Sequence, residues 1–268
     1  MKIAVIVTTY NRPDALAAVL EGYLAQDDRD FELLVADDGS TDETRNLIEK
    51  CQDIAPFPIK HVWQEDAGFR AARIRNLAVA ATDASYVIFT DGDCIPAKHF
   101  VSSHRKLREP GYFLSGNRVL ISEAFTKKVL SEHIPVHEWS LVKWAKARWQ
   151  GKINRILPLA SLPDCCRKNS PNKWEGAKTC NLSAFREDLI EVNGFDESYT
   201  GWGLEDSDLV VRLIRAGIKH KSARFFCPVF HLWHPENDRS RLEENRKKLE
   251  SILGAIHIRA SLGLDQYL

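Results

Sequence analysis

Tyr86-Val87-Ile88-Phe89-Thr90-Asp91-Gly92-Asp93 is the stretch on which the reading of this chain turns. Five residues, mostly apolar or β-branched, have the length of a buried strand. They stop at two carboxylates separated by glycine. An isolated Asp-x-Asp is more often a pair of solvated turn acids than a pair of oxygen ligands for one hard divalent cation. The neighbourhood separates the two. Toward the N-terminus, Ile3–Val7, Phe31–Ala36 and Ile59–Trp63 read as further buried strands. Helical segments lie between them. Pro13–Ala25 starts with Pro in its first turn after Asn11 as a cap, Thr41–Gln52 opens on Ser40-Thr41-Asp42-Glu43, and Phe69–Ala81 carries apolar residues at helical spacing. This alternation, with short links, predicts right-handed βαβ units and a mostly parallel α/β sheet flanked by helices. Ligands of such sheets sit at the carboxyl ends of the strands. The polar clusters Thr8-Thr9-Tyr10-Asn11, Asp37-Asp38-Gly39-Ser40 and Asp91-Gly92-Asp93 all fall there.

Composition narrows the classes. The chain has 268 residues, with Lys+Arg 37 balanced by Asp+Glu 37. That length buries a core without metal or disulfide staples. Zero net charge argues against a generic nucleic-acid binder, which needs a basic footprint. The six cysteines include no Cys-x-x-Cys pair, so a structural zinc site has no support. Reduced thiols and a cytoplasmic location are expected. The first apolar run is shorter than that of a signal peptide, and no run reaches the roughly 18 residues of a membrane span. Membrane association is therefore expected to be peripheral.

Toward the C-terminus the character changes. Residues 121–180 are rich in Lys and Arg and carry Trp139, Trp144 and Trp149. The basic stretch Val136–Leu159 has three readings: a packing element, an acceptor-recognition lid, and a membrane-surface patch in which Lys and Arg beside Trp suit an anionic interface. Gly201-Trp202-Gly203-Leu204-Glu205-Asp206-Ser207-Asp208 leads into a helix expected over Asp206–Ala216. Glu205 and Asp206 can cap that helix. The flanking glycines permit unusual backbone angles, and a Trp between them can wall a sugar site. The apolar run Phe225–Phe230 ends at His231-Leu232-Trp233-His234, and Arg239–Leu262 reads as a long charged helix.

Taken in order and spacing, Thr8-Thr9-Tyr10-Asn11-Arg12, Asp37-Asp38-Gly39-Ser40, Gly68-Phe69-Arg70-Ala71-Ala72-Arg73 and Asp91-Gly92-Asp93 resemble family 2 glycosyltransferases. The Gly-Phe-Arg stretch and Asp91-Gly92-Asp93-Cys94-Ile95-Pro96 are most similar to the chondroitin-polymerase-like branch. The Gly201–Asp208 segment resembles the Trp-Gly-x-Glu-Asp segment of that branch and of galactosyltransferases. The resemblance covers roughly residues 1–110 and 176–235; it does not extend to 121–175.

The resemblance implies a GT-A fold, Rossmann-like, in a single domain over 1–268. Residues 1–110 would form the nucleotide-sugar half. Residues 111–238 would form the acceptor and catalytic half with its basic insertion, and 239–268 a C-terminal helix. It assigns Thr8, Tyr10 and Asp38 to the nucleoside pocket, with Arg12, Gly68, Asp91, Gly92 and Trp202 also on the donor sugar nucleotide. Which of Arg70, Arg73 and Arg75 faces the diphosphate is not readable from spacing; family position points to Arg73. Asp91, Asp93 and a histidine would hold Mn²⁺ or Mg²⁺, with His231 favoured over His234. Asp206 would be the catalytic base and Glu205 the contact to acceptor hydroxyls. The implied activity is inverting transfer from a nucleotide sugar, UDP-linked by preference, to a glycan or lipid-linked glycan in bacterial surface-polysaccharide synthesis. Peripheral contact with the inner face of the membrane fits such an acceptor. A glycoside hydrolase also uses paired carboxylates, but it leaves Asp38, Arg73 and the Asp91/Asp93 pair without a role. A nucleotidyltransferase lacks support, since no Gly-rich, Lys/Arg-bearing phosphate loop follows the first strand. Retention of Asp91, Asp93, Glu205 and Asp206 speaks against a non-catalytic binding module.

Overall fold

The first strand of the chain, β1 (Ile3–Thr9), is buried on both faces, so its side chains feed two separate apolar layers. Ile3, Val5 and Val7 enter one layer, and Ala4 and Ile6 the other. That is the period-two alternation of a strand covered by helices on each side. A computed structural model describes residues 1–159 and 166–268. After β1 come α1 (Pro13–Leu24), β2 (Phe31–Asp37), α2 (Asp42–Ile54), β3 (Ile59–Trp63), α3 (Ala71–Ala80), β4 (Tyr86–Asp91), β5 (Cys94–Pro96), α4 (Phe100–Leu107), β6 (Tyr112–Ser115) and β7 (Arg118–Leu120). The chain continues with α5 (Glu123–Ser131), α6 (Leu141–Trp149), β8 (Leu182–Phe185), α7 (Arg186–Glu191), α8 (Glu205–Arg215), β9 (Lys219–Ser222), β10 (Val229–His231) and α9 (Leu242–Gly254).

Among the described residues, seven strands form one sheet in the order β3-β2-β1-β4-β8-β6-β9. The pairs β1–β2, β1–β4, β2–β3 and β6–β9 are parallel, and β8 runs antiparallel to both its neighbours. A second, three-stranded sheet, β5-β10-β7, sits beside the carboxyl ends. One apolar layer holds side chains of α1, α2, α4, α5 and α6, with Trp144 of α6 stacked on Phe230 of the second sheet; the other holds those of α3, α7 and α8. The expected α/β architecture and the four N-terminal strands are present, with ends differing by one or two residues.

Three local expectations need correction. Asn11 does not cap α1; its backbone has φ 46° and its side-chain oxygen accepts from Thr41 N–H at 3.0 Å. Thr41 in turn makes no side-chain cap bond to α2. Asn11 instead ties the β1 and β2 carboxyl-end turns together, helped by its own N–H donating to Ser40 Oγ at 2.8 Å. The C-terminal helix is also shorter than expected. It ends at Gly254, and the chain turns back so that Ala260 N–H reaches Val192 O and Leu264 is fully buried. The tail docks on α7 and α3: Arg259 donates to Ile190 O and Glu191 O, and the Arg73 guanidinium lies 5.9 Å from the Tyr267 ring centre. The apolar run Phe225–Phe230 enters β10 at Val229, and Phe225 has a left-handed φ of 61°.

Candidate active site

The site begins where β1 and β4 end side by side. Gly92 N–H donates to Thr8 O at 2.7 Å. A Cβ at position 92 would stand 2.8 Å from Thr9 Oγ1, so only glycine lets the two strand ends approach this closely. Asp91 and Asp93 flank it and open onto a cleft of about 880 Å³. The same cleft is lined by Thr8, Tyr10, Arg12 and Asp38 from the β1 and β2 ends, by Glu205 and Asp206 from α8, and by Trp202, His231 and His234. Residues far apart in sequence are thus gathered at the strand ends, as doubly covered parallel sheets require.

Two adjacent acids at the end of β2 have different partners. Asp37 accepts Ser40 N–H at 2.8 Å and pairs with His61 Nε2 at 2.9 Å. It holds the turn. Asp38 lines the cleft, accepting Arg70 N–H at 2.8 Å and Gln64 Nε2–H. Burial raises its pKa, and those two donors pull it back down. Gln64 is itself gripped by Arg73, whose guanidinium donates to Gln64 Oε1 at 2.6 Å. Arg73 therefore supports Asp38 from behind and does not line the cleft, contrary to the family-position expectation. Gly68 also lies outside the lining, with φ 80°; its neighbour Phe69 takes the place at the cleft wall.

The arginine that does enter is Arg75. Its side chain is 5 % exposed, and it joins three parts of the site. Nη1 donates to Glu205 Oε1 at 2.9 Å, Nη2 to Asp91 Oδ1 at 3.4 Å, and Nε to Thr8 Oγ1 at 3.1 Å. Helical phase carried the signal, since Ala71 and Ala78, four before and three after, are buried as well. Trp233, from the His231–His234 segment, also lines the cleft, as do Arg118 on β7, Lys178 and Arg239, to which no sequence motif pointed.

His231 is placed by β10, which pairs antiparallel with β5 so that His231 stands opposite Cys94. Leu232 N–H donates to Asp93 O at 2.8 Å, which fixes the next turn. Asp93 Oδ2 lies 3.7 Å from His231 Nε2 and 3.4 Å from His234 Nε2. One donor atom from each of these three side chains falls within 4.8 Å of the others. A carboxylate and two imidazoles could together hold a divalent transition-metal ion. The structure thus brings both histidines to Asp93, where His231 alone was favoured. Asp91 lies in a different group, with Cys94 and Cys180. Burial, reinforced by Arg118 and His234 nearby, pushes the His231 pKa down to about 4, so the ring is neutral and its lone pair available.

Across the cleft, α8 starts from a strained approach. Gly201 and Gly203 have φ of 73° and 104°, and Leu204, a non-glycine residue, has φ 78°. Residues held in that region cluster at functional sites. The turn exposes Trp202 to the cleft, where the Arg239 guanidinium stacks 5.2 Å from its ring centre. Glu205 is buried; Arg75 holds its Oε1, while Oε2 has no hydrogen-bond partner among the described residues. Asp206 is half-buried and makes no ion pair among them; its Oδ1 accepts Ser207 N–H at 2.7 Å. Burial, and then the charge of Glu205, push the Asp206 pKa up to about 6. A carboxylate with a raised pKa and no cation of its own is suited to accepting a proton near neutral pH.

The family model for glycosyl transferase family 2 matches residues 4–175. The chain belongs to that family. A second model, the N-terminal domain of galactosyltransferase, matches residues 165–235, the segment carrying Glu205, Asp206 and His231. Validoxylamine A glucosyltransferase of Streptomyces hygroscopicus subsp. limoneus is 31% identical over 227 residues, which are 81% of this chain and 48% of that protein. Chondroitin synthase of Escherichia coli is 26% identical over 231 residues, 82% of this chain and 33% of the relative. The chain thus spans half or less of the length of these relatives. Among solved structures, S. aureus TarS 1-349 in complex with UDP superposes with a TM-score of 0.65 at 16% identity, covering 100% of this chain and 68% of that one. Mannosyltransferase PcManGT from Pyrobaculum calidifontis, in complex with GDP-Man and Mn²⁺, gives a TM-score of 0.62 at 18% identity, covering 91% and 60%. The fold of this family 2 chain is GT-A.

Proposed function

We propose that this chain is an inverting, metal-dependent glycosyltransferase. It moves a sugar from a nucleoside-diphosphate sugar, UDP-linked by preference, to a hydroxyl of a glycan or lipid-linked glycan in bacterial surface-polysaccharide synthesis. The observation that carries the reading is the convergence of Asp38, the Asp93–His231–His234 group and the Glu205–Asp206 pair on one cleft. Thr8, Tyr10 and Asp38 would receive the nucleoside, with Asp38 accepting a base N–H. Asp93, His231 and His234 would hold Mn²⁺ or Mg²⁺, with Asp91 beside them. The bound ion would supply positive charge for the diphosphate leaving group. Arg75 keeps Asp91 and Glu205 in place and lends the buried floor a positive charge. Glu205 Oε2, a buried acceptor without a donor, fits an acceptor hydroxyl that completes its hydrogen bonding. Asp206 takes the proton of the attacking hydroxyl. Attack from the face opposite the diphosphate inverts the anomeric centre.

The test is nucleotide release from a panel of sugar nucleotides in Mn²⁺, with and without glycan acceptors. Release from one donor, abolished by EDTA and by Asp93→Ala with an unchanged circular dichroism spectrum, is the expected result. Full release in EDTA or in Asp93→Ala overturns the metal-dependent mechanism. Nucleotide binding without release from any donor overturns the catalytic reading.

A further inference from the structure

The basic, Trp-bearing stretch folds into a helix with two unlike faces. Trp144 and Ala147 of α6 are buried, and Trp144 stacks on Phe230 with ring centres 4.3 Å apart and planes 15° from parallel. Trp139 packs 5.0 Å from Trp144. Two of the three tryptophans are thus packing residues. The third is not: Trp149 is 86% exposed, Val142 79% and Leu141 60%. At 100° per residue, Leu141, Ala145, Trp149 and Val142 fall within one arc of about 100°. That arc points away from Trp144 and Ala147. Arg148 borders it on one side and Lys146 on the other, with Lys143 beyond. The helix contains no acid, and none of these three cations has an ion-pair partner among the described residues. On α5, by contrast, Lys127 and Lys128 pair with Glu123 and Glu132 at 2.7 and 3.6 Å.

A solvent-facing stripe with a Trp, rimmed by unpaired cations, is the pattern of a helix that lies in a membrane interface. We infer that the outer face of α6 is a docking surface for an anionic lipid bilayer. The charge complementarity commits the occupant. The flanking cations meet the lipid phosphates while Leu141, Val142 and Trp149 enter the headgroup–acyl boundary. A second copy of this chain would bring the same three cations against themselves. Trp144 fastens the helix to Phe230, next in sequence to His231. In linking this surface to a lipid-linked acceptor the inference rests on the proposed function; the surface itself does not.

The experiment is co-sedimentation of the full chain with phosphatidylcholine vesicles containing or lacking phosphatidylglycerol. Binding is expected only with phosphatidylglycerol and should fall steeply with salt, since each basic residue near such a surface contributes about fivefold in partitioning. The double variant Val142→Glu/Trp149→Glu should lose at least about tenfold in partitioning, melt as the parent does, and keep donor turnover on a soluble acceptor. Lys143→Gln/Lys146→Gln, which leaves the apolar stripe intact, should bind less and show a shallower salt dependence. Asp93→Ala should still bind vesicles, so a failed catalytic reading leaves this result standing. Equal binding to neutral vesicles, unaltered binding by both double variants, or concentration-dependent dimerisation abolished by Val142→Glu/Trp149→Glu would each overturn the inference.

Discussion

Asp206 and Asp208 sit two residues apart in the first turn of the same helix, yet their partners differ completely. Asp208 is fully buried against Arg212, whose guanidinium reaches Asp208 Oδ2 at 2.5 and 2.8 Å and also donates to Val192 O and Gly194 O at 2.6 and 2.8 Å. Asp206 faces the cleft with no cation paired to it. Asp37 and Asp38 repeat the contrast at the other end of the cleft, where one acid fastens a turn and its neighbour opens toward ligand. An acid whose charge is already matched inside the fold carries structure. An acid left half-matched at a strand or helix end is free to serve chemistry.

The largest expected effect breaks the contrast at α8. Asp206→Asn should lower turnover by about 10²–10⁴-fold with nucleotide binding and melting temperature near those of the parent. Glu205→Gln should instead raise the acceptor KM more than it lowers kcat, because it removes binding shared by ground and transition states. Steady-state kinetics on both variants distinguish the two roles. Arg212→Met should produce the converse, a stability loss of about 3–5 kcal/mol in urea unfolding, because Asp208 is left charged and buried. Folded Arg212→Met should retain kcat; a catalytic defect without destabilisation would erase the distinction between the two acids.

At the nucleoside end, Asp38→Ala should weaken nucleotide affinity by about 1.5–3 kcal/mol by calorimetry, the scale of a hydrogen bond to a charged group. Unchanged affinity would make Asp38 a turn residue like Asp37. The mildest test varies only pH. A base must be ionised to accept a proton, so activity is present above the pKa of Asp206 and falls as pH drops through about 6. At pH 5, kcat should be about tenfold below its plateau with slope one on a logarithmic plot, and a flat profile down to pH 4.5 would remove Asp206 from that role.

Legibility in the sequence followed how local the deciding physics was. β1 to β4 announce themselves because strands covered on both faces must be apolar throughout, and their polar ends then stand out. β9, Lys219-His220-Lys221-Ser222, has no apolar pattern at all; only its ladder with β6 makes it a strand. β8 is four residues long and is defined by antiparallel partners nearly a hundred residues upstream. Asp38, Asp91 and Asp93 stand out for the same reason, since they lie at the polar ends of those strands. Arg75 was harder, because three arginines share one short helix and only its phase against the sheet selects among them. Arg118 and Arg239 reach the cleft through tertiary folding alone, and no spacing encodes that. The Arg239–Leu262 periodicity overstated the last helix because helical spacing continues past Gly254, where burial of Leu264 instead directs the chain.

The tight contact at Gly92 has one more consequence. Since backbone packing of Gly92 on Thr8 and Thr9 joins the ends of β1 and β4, the gap between Asp38 and Asp93 is set by main chain and not by adjustable side chains. In the proposed function the cleft would then work as a gauge. A molecule that touches both acids must have the right length between its two recognised ends, whatever group hangs from the far one. Selection by span and selection by the attached group are then separable, and changes to the Trp202 wall can alter the second without disturbing the first.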